Sequence, residues 1–325
     1  MKKKELYWQI PLLLFLIVGT IFIIRQRQSA PEEQVPFQHA TGEVFGTIYN
    51  ITYQSSKDLQ EEVEIALHQV DKEFSMFNEE STVSAINRGE NPRRSAMFNE
   101  LYNIAQQVNA ATDGAFDITV APLVNAWGFG FKTQQMPTPE QVDSLMKIRT
   151  QLDFSAIAKG YGCDAVARTL AAHGSQNFMV EIGGEVVTRG HNPSGNPWRI
   201  GVTKPTDDSL AQSNELQAVL TVTNSAMATS GNYRRFYYKG GRKYAHTIDP
   251  RTGYPIQHEL LSATVFADSC TIADAYATSF MVLGLQKSKE LLQHHPEMKA
   301  YLIYTNEQGQ VAVWHSEGLE ISDEQ

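Results

Sequence analysis

Residues Phe178 to Arg189 read Phe-Met-Val-Glu-Ile-Gly-Gly-Glu-Val-Val-Thr-Arg. Two β-forming runs, Phe178 to Ile182 and Glu185 to Arg189, are joined by the pair Gly183-Gly184 with no helical stretch between them. Glycine at such a place suits a bulge or the close approach of a ligand. Outward from this pair, strand patterns keep following one another: Trp198 to Thr203, Leu216 to Thr223, and a hairpin of Tyr233 to Tyr238 with Lys243 to His246 around Gly240-Gly241. Leu261 to Ala267 is another strand, Ile272 to Leu283 a helix ended by Gly284, and Lys287 to His294 a last helix. Strands over Lys299 to Tyr304 and Val311 to His315 close the chain. Strands that neighbour strands predict an α+β fold with a mixed, largely antiparallel sheet, not a doubly wound one.

Upstream, Gly42 to Gln54 alternates like a strand, and Leu59, Val63, Leu67, Val70 and Phe74 recur at helical spacing over Asp58 to Phe74. A loop with short helical character runs from Phe74 to Gly89, and a second helix covers Ala96 to Ala111, stopped by Thr112-Asp113-Gly114. Pro137 to Met146 reads as a linker and a short helix. Leu152 to Asp164 reads as strand, tight turn and helix, with Lys159-Gly160 at the turn. A helix start beside glycine is a natural anion site, and Lys159 adds positive charge there; a surface lysine that caps nothing is the plain alternative.

Composition sets limits on function. The chain has 325 residues, 42% hydrophobic and 19% charged, enough for a sizeable core. Its formal net charge is -9, and the first 28 residues carry Lys2, Lys3, Lys4, Arg25 and Arg27 against Glu5 alone, so the body is more acidic still. Such a body repels phosphate backbones, which argues against non-specific nucleic-acid binding. Cys163 and Cys270 form no C-x-x-C and read as two buried thiols. Trp8 to Ile24 is almost wholly apolar between basic flanks, slightly short of the roughly 20 residues that span a bilayer. An uncleaved membrane anchor over 1–28 is expected, with a cleavable signal peptide ending near Ser29-Ala30 as the rival, then a polar tether over 29–41 and one catalytic domain over 42–325. The charges around the apolar run barely orient it.

Chemistry concentrates between residues 228 and 284. Asp274 and Thr278 are four apart on a predicted helix and share a face. A carboxylate with a hydroxyl offers oxygen donors only, the preference of Mg²⁺ or Ca²⁺; a helix cap with a back-bonded threonine is the structural alternative. Thr229 and Ser230 precede Gly231 in an expected turn, and His246, Asp249, Arg251 and Thr252 share a Pro/Gly turn. A histidine among such groups is a site candidate. Gly114 to Gly130, with Phe116, Trp127 and Phe129, reads either as a buried aromatic plug or as a wall for a planar ligand.

Seven blocks in order carry a resemblance: Phe45-Gly-Thr-Ile-Tyr, Gly114-Ala-Phe-Asp-Ile-Thr-Val through Trp127-Gly-Phe-Gly, Asp153 to Lys159-Gly-Tyr, Glu181-Ile-Gly-Gly, Ala228-Thr-Ser-Gly-Asn-Tyr, His246-x-x-Asp-Pro-x-Thr-Gly and Ala273-Asp-Ala-x-Ala-Thr. From about Gly42 to the last strand, the chain resembles the FAD:protein FMN transferase (ApbE-like) family. The resemblance implies a T-fold-related α+β domain with an FAD cleft between two lobes. It implies that FAD is the substrate, that an acceptor Thr or Ser hydroxyl attacks the FMN phosphorus, and that AMP leaves. It implies Mg²⁺ held by Asp274 and Thr278 with backbone oxygens of Ala156 and Ala277, and FAD contacts at Phe45, Phe77, Ala115, Phe116, Asp117, Asp153, Lys159 and Ile248. His246 would be the base, a task that suits its near-neutral pKa. The chain departs from the family in having Phe45 where Met is common, Phe77 where a tyrosine is expected, and an apolar anchor in place of a lipid-accepting cysteine. The implied location is the inner membrane with the domain on the periplasmic side, and the implied partners are extracytoplasmic flavoprotein subunits of membrane electron-transfer complexes. With water as acceptor the same site would be an FAD pyrophosphatase; without catalysis it would be a flavin-binding protein.

Overall fold

The computed structural model describes residues 14–20, 35–130, 136–205, 216–232, 236–239 and 242–322. The chain divides into two units, Met1–Pro36 and Phe37–Gln325. Of the first, residues 14–20 are helical; the rest of the expected anchor lies outside the described residues, among which no helix is long and apolar enough to cross a membrane.

In the second unit, strands β1 (Phe37–Val44), β2 (Thr47–Gln54), β3 (Phe178–Ile182), β4 (Glu185–Arg189), β7 (Ser225–Gly231), β10 (Leu260–Ala267), β11 (Lys299–Thr305) and β12 (Val311–His315) form one sheet in the order β1-β2-β3-β4-β7-β10-β11-β12. Every neighbouring pair in it is antiparallel. Between β4 and β7 the chain leaves to build β5 (Trp198–Thr203) and β6 (Leu216–Val222), which join β13 (Ile321–Ser322) in a second sheet. Strands β8 (Phe236–Lys239) and β9 (Arg242–Ala245) make a separate hairpin. The antiparallel α+β reading therefore holds.

Alternation along the strands explains the layers. Val186, Met227, Phe266 and Ile303 of the large sheet pack on Val202, Leu220 and Val222 of the small one. The alternate residues Ala228, Val265 and Leu302 face the helices α1 (Gln60–Phe74), α3 (Ala96–Ala111), α6 (Ala158–Ala172) and α7 (Cys270–Gln293). Short helices α2 (Thr82–Asn87), α4 (Ala121–Ala126) and α5 (Pro139–Leu145) fill the connections. Phe37–Gln325 is one compact unit, so the expected pair of lobes is not a division of the chain. Cys163 and Cys270 are buried free thiols.

Four local expectations change. Gly42 to Gln54 is not one strand: Phe45 (φ 53°) and Gly46 (φ 72°) make a two-residue turn between β1 and β2, the double positive φ that matches strand twist. The first strand also begins at Phe37, inside the stretch expected as a tether. Leu152 to Phe154 is no strand, and α6 already runs from Ala158, so Lys159, Gly160 and Gly162 are helical. These glycines serve packing: a Cβ on Gly160 would stand 2.3 Å from the Cys270 carbonyl oxygen, and one on Gly162 would stand 2.9 Å from the Phe45 ring. Finally, Thr229 and Ser230 lie on β7, not in a turn. Gly284 does break α7, with φ 78° and ψ 176°.

Candidate functional site

A cleft of about 930 Å³ opens in the second unit, at the upper end of the roughly 300–1,000 Å³ usual for small-molecule and cofactor sites. Its walls bring together residues far apart in sequence. Lys159 arrives on the first turn of α6, Glu185 at the start of β4, Thr229 and Ser230 on β7, and Asp274 and Thr278 one turn apart on α7. His246 and Ile248 come from the loop after β9. Gly160 is what lets α6 close on α7: with no side chain, its backbone N–H reaches Asp274 Oδ2 at 3.0 Å.

The floor is a charged cluster in a poorly hydrated place. Lys159 Nζ lies 3.0 Å from Glu185 Oε1 and 3.9 Å from Asp274 Oδ2, and the two carboxylates are only 3–4% exposed. Burial raises the Glu185 carboxyl to about 8, against the pull of Lys159 and with a further push from Asp274. Asp274 is raised by burial too, opposed by Lys159 and the Gly160 N–H. Burial would lower Lys159, but Asp274 and Glu185 outweigh it and hold the ammonium above its ordinary value. Lys159 is thus neither an idle surface lysine nor a bare anion site; it is a charge shared by two buried acids. Among the described residues, Glu185 Oε2 is buried without a hydrogen-bond partner.

Beside this cluster, Ser230 Oγ and Thr278 Oγ1 are 3.1 Å apart, and Thr229 Oγ1 and Thr264 Oγ1 are 2.9 Å apart. Asp274, Thr278 and Ser230 present a carboxylate and hydroxyls to one cleft, an all-oxygen donor set of the hard-cation kind. Among the described residues, no three His, Cys, Asp or Glu side chains group to hold a metal ion, so a cation here would draw on fewer than three such side chains and on hydroxyls, carbonyls and the substrate's own oxygens. The donors fit Mg²⁺ and do not fit zinc or copper.

The remaining predicted residues divide. Phe45, Ala115, Phe116, Asp117, Asp153, Ala156 and Ile248 line the cleft. Phe77 also does, but at its rim, 68% exposed. Ala277 is fully buried in α7 and is not among the lining residues. Asp153 accepts the Ser155 N–H at 2.8 Å, and burial raises its carboxyl. Asp117 is held by the Thr119 N–H and hydroxyl and by Arg149 Nη1 at 2.6 Å. Asp249 does not face the cleft; it binds its neighbour Arg251 through the backbone N–H, Nε and Nη2, each at 2.9 Å, and so shapes the loop that carries His246. Trp127 donates to the Gly253 carbonyl at 2.8 Å and is a buried plug, whereas Phe129 lines the cleft and meets the His246 ring edge-on at 6.4 Å. Trp127 thus follows the plug reading, and Phe129 is placed at the cleft. Sequence reasoning missed Glu185 and Arg149; the only trace of Glu185 was an acid directly after the Gly183-Gly184 pair.

A family model described as "ApbE family" matches residues 45–302. The chain belongs to the ApbE family. It is 36% identical over 304 residues to the FAD:protein FMN transferase of Haemophilus influenzae, covering 83% of this chain and 87% of that protein. With the Escherichia coli K12 protein of the same name it shares 34% identity, over 93% and 94% of the two chains. The solved flavin transferase ApbE from Vibrio cholerae superposes with a TM-score of 0.76 at 33% identity, over 87% of this chain and 97% of that one. ApbE membership accounts for all seven sequence blocks, since each of them falls inside the matched range.

Proposed function

We propose that this ApbE-family chain transfers the FMN half of FAD to a Thr or Ser hydroxyl of a target flavoprotein, forming a phosphoester and releasing AMP. What carries the reading is the convergence of His246, Lys159, Asp274, Thr278 and Ser230 on one cleft large enough for a dinucleotide. The names of the relatives support the substrate and the protein acceptor. In this reading Phe45, Phe77, Ala115, Phe116, Asp117, Asp153 and Ile248 bind the flavin nucleotide. Asp274 and Thr278, with the backbone oxygen of Ala156, would hold Mg²⁺; Ala277, buried away from the cleft, would not reach it. Bound there, Mg²⁺ supplies charge neutralisation at the pyrophosphate oxygens. His246 takes the proton from the acceptor hydroxyl as its oxygen bonds to the FMN phosphorus and the bond to the AMP oxygen breaks. Lys159 keeps positive charge beside the phosphates in an otherwise acidic body. The N-terminal apolar segment would anchor the domain on the extracytoplasmic face of the inner membrane, within reach of flavoprotein subunits of electron-transfer complexes.

Incubating the domain with FAD and Mg²⁺ alone tests the acceptor. Slow or absent formation of FMN and AMP is expected. Rapid turnover without a protein acceptor would instead make hydrolysis the main activity.

A further inference from the structure

Among the described residues, the cleft holds one buried polar atom that neither the substrate contacts nor the cation donors named above account for: Glu185 Oε2. Glu185 is 3% exposed, and its other oxygen takes the Lys159 ammonium at 3.0 Å. The same ammonium stands 3.9 Å from Asp274 Oδ2, so one lysine joins both carboxylates at the cleft wall. A buried carboxylate oxygen without a donor costs its desolvation energy and persists where something else satisfies it. Oε1 of Glu185 is already taken by the Lys159 ammonium, which stands between it and Asp274. A hydrated cation meets that need, because Mg²⁺ keeps several of its waters when bound.

We propose that Glu185 is a positioning residue of the cation site: Oε1 holds Lys159 to one side of Asp274, and Oε2 accepts a hydrogen bond from a water carried by Mg²⁺. The inference rests on the reading of Asp274 and Thr278 as cation donors. Groups that orient a metal's ligands and waters in this way cost about 10- to 100-fold in metal affinity when removed.

Charge alone would also couple Glu185 to a cation, so the test holds charge constant. Replacing Lys159 and Glu185 together by methionine removes one positive and one negative group and leaves Asp274 in place. Exchanging a buried ion pair for apolar side chains of similar size is often neutral or stabilising, so the double variant should fold. Mg²⁺ binding is measured by calorimetry without FAD at pH 8.5, above the Glu185 value of about 8, where its carboxylate form predominates in the wild type. The double variant should bind Mg²⁺ about 10- to 100-fold more weakly than the wild type. Binding within twofold of the wild type would overturn the proposal, leaving Glu185 a mere counter-charge for Lys159. Asp274→Asn separates the two levels of inference: if it binds Mg²⁺ as the wild type does, the cation-site reading fails. A readout on the wild type itself covers the case of a misfolded variant. In the Mg²⁺-minus-apo infrared difference spectrum, the carboxylate stretch assigned to Glu185 by its loss in Glu185→Gln should shift, and an unmoved band would contradict the proposal.

Discussion

At the residue scale, the site's behaviour follows from two buried acids, the half-buried lysine between them and one histidine. His246 lies in a loop shaped by the Asp249–Arg251 pair, so its replacement should leave the fold and FAD binding unchanged. As a general base it contributes on the order of 10²- to 10⁴-fold, so His246→Ala should lower the flavinylation rate by that factor while FAD fluorescence quenching titrates as before. The acids predict a pH dependence of stability. Glu185 has its carboxyl raised from 4.5 to about 8 in the folded protein, so the folded state favours the protonated form. That contribution is full below about 4.5 and is lost as pH rises through 8, and Asp274, also raised, acts in the same sense. Metal-free protein should therefore lose melting temperature between pH 5 and 8.5, and Glu185→Gln should flatten the decline. A melting temperature that rises across this window would contradict the electrostatic account.

At the element scale, the site depends on how closely α6 meets α7. Gly160 makes the contact possible, and a methyl group there would press on the Cys270 carbonyl and the Asp274 side chain. Gly160→Ala should cost about 1–3 kcal/mol of overpacking, seen as a lower urea midpoint, and should weaken Mg²⁺ binding as Asp274 moves. The same two helices are joined by Asp164, which accepts the Cys270 and Thr271 N–H groups and the Ser269 and Thr271 hydroxyls at the start of α7. Asp164→Ala should cost about 2 kcal/mol, again by urea unfolding, since it strips a helix terminus of a charged acceptor. Neither device was legible in the sequence. Glycines in Lys159-Gly-Tyr-Gly looked like a turn because close helix contact and turn geometry call for the same residue. Phe45-Gly46 carried no usual turn signal, since a phenylalanine at positive φ is uncommon, and so a hairpin looked like one strand. What was legible was whatever depends on period alone: the helix Ala96–Ala111, the strands Phe178–Ile182 and Glu185–Arg189, and the antiparallel succession after residue 175.

At the scale of the whole molecule, the sheet acts as a frame that collects distant residues. Lys159, Glu185, Ser230, His246 and Asp274 meet because β4, β7 and β10 lie side by side in the sheet and α6 and α7 cross one face of it. Sequence spacing paired only Asp274 with Thr278, because that pair is local to one helix. The Lys159–Glu185–Asp274 cluster spans 115 residues and three elements, and no local pattern announces it. The antiparallel sheet, covered by helices on one face and by the β5–β6–β13 sheet on the other, is the part of the architecture that strand succession did foretell.

The most direct test of the central claim is the intact mass of a soluble extracytoplasmic flavoprotein subunit before and after incubation with this domain, FAD and Mg²⁺. The account predicts a gain of one FMN residue on a single Thr or Ser, one AMP released per modified subunit, and neither product with Asp274→Asn. An unchanged acceptor mass while FAD is consumed to free FMN and AMP would contradict it.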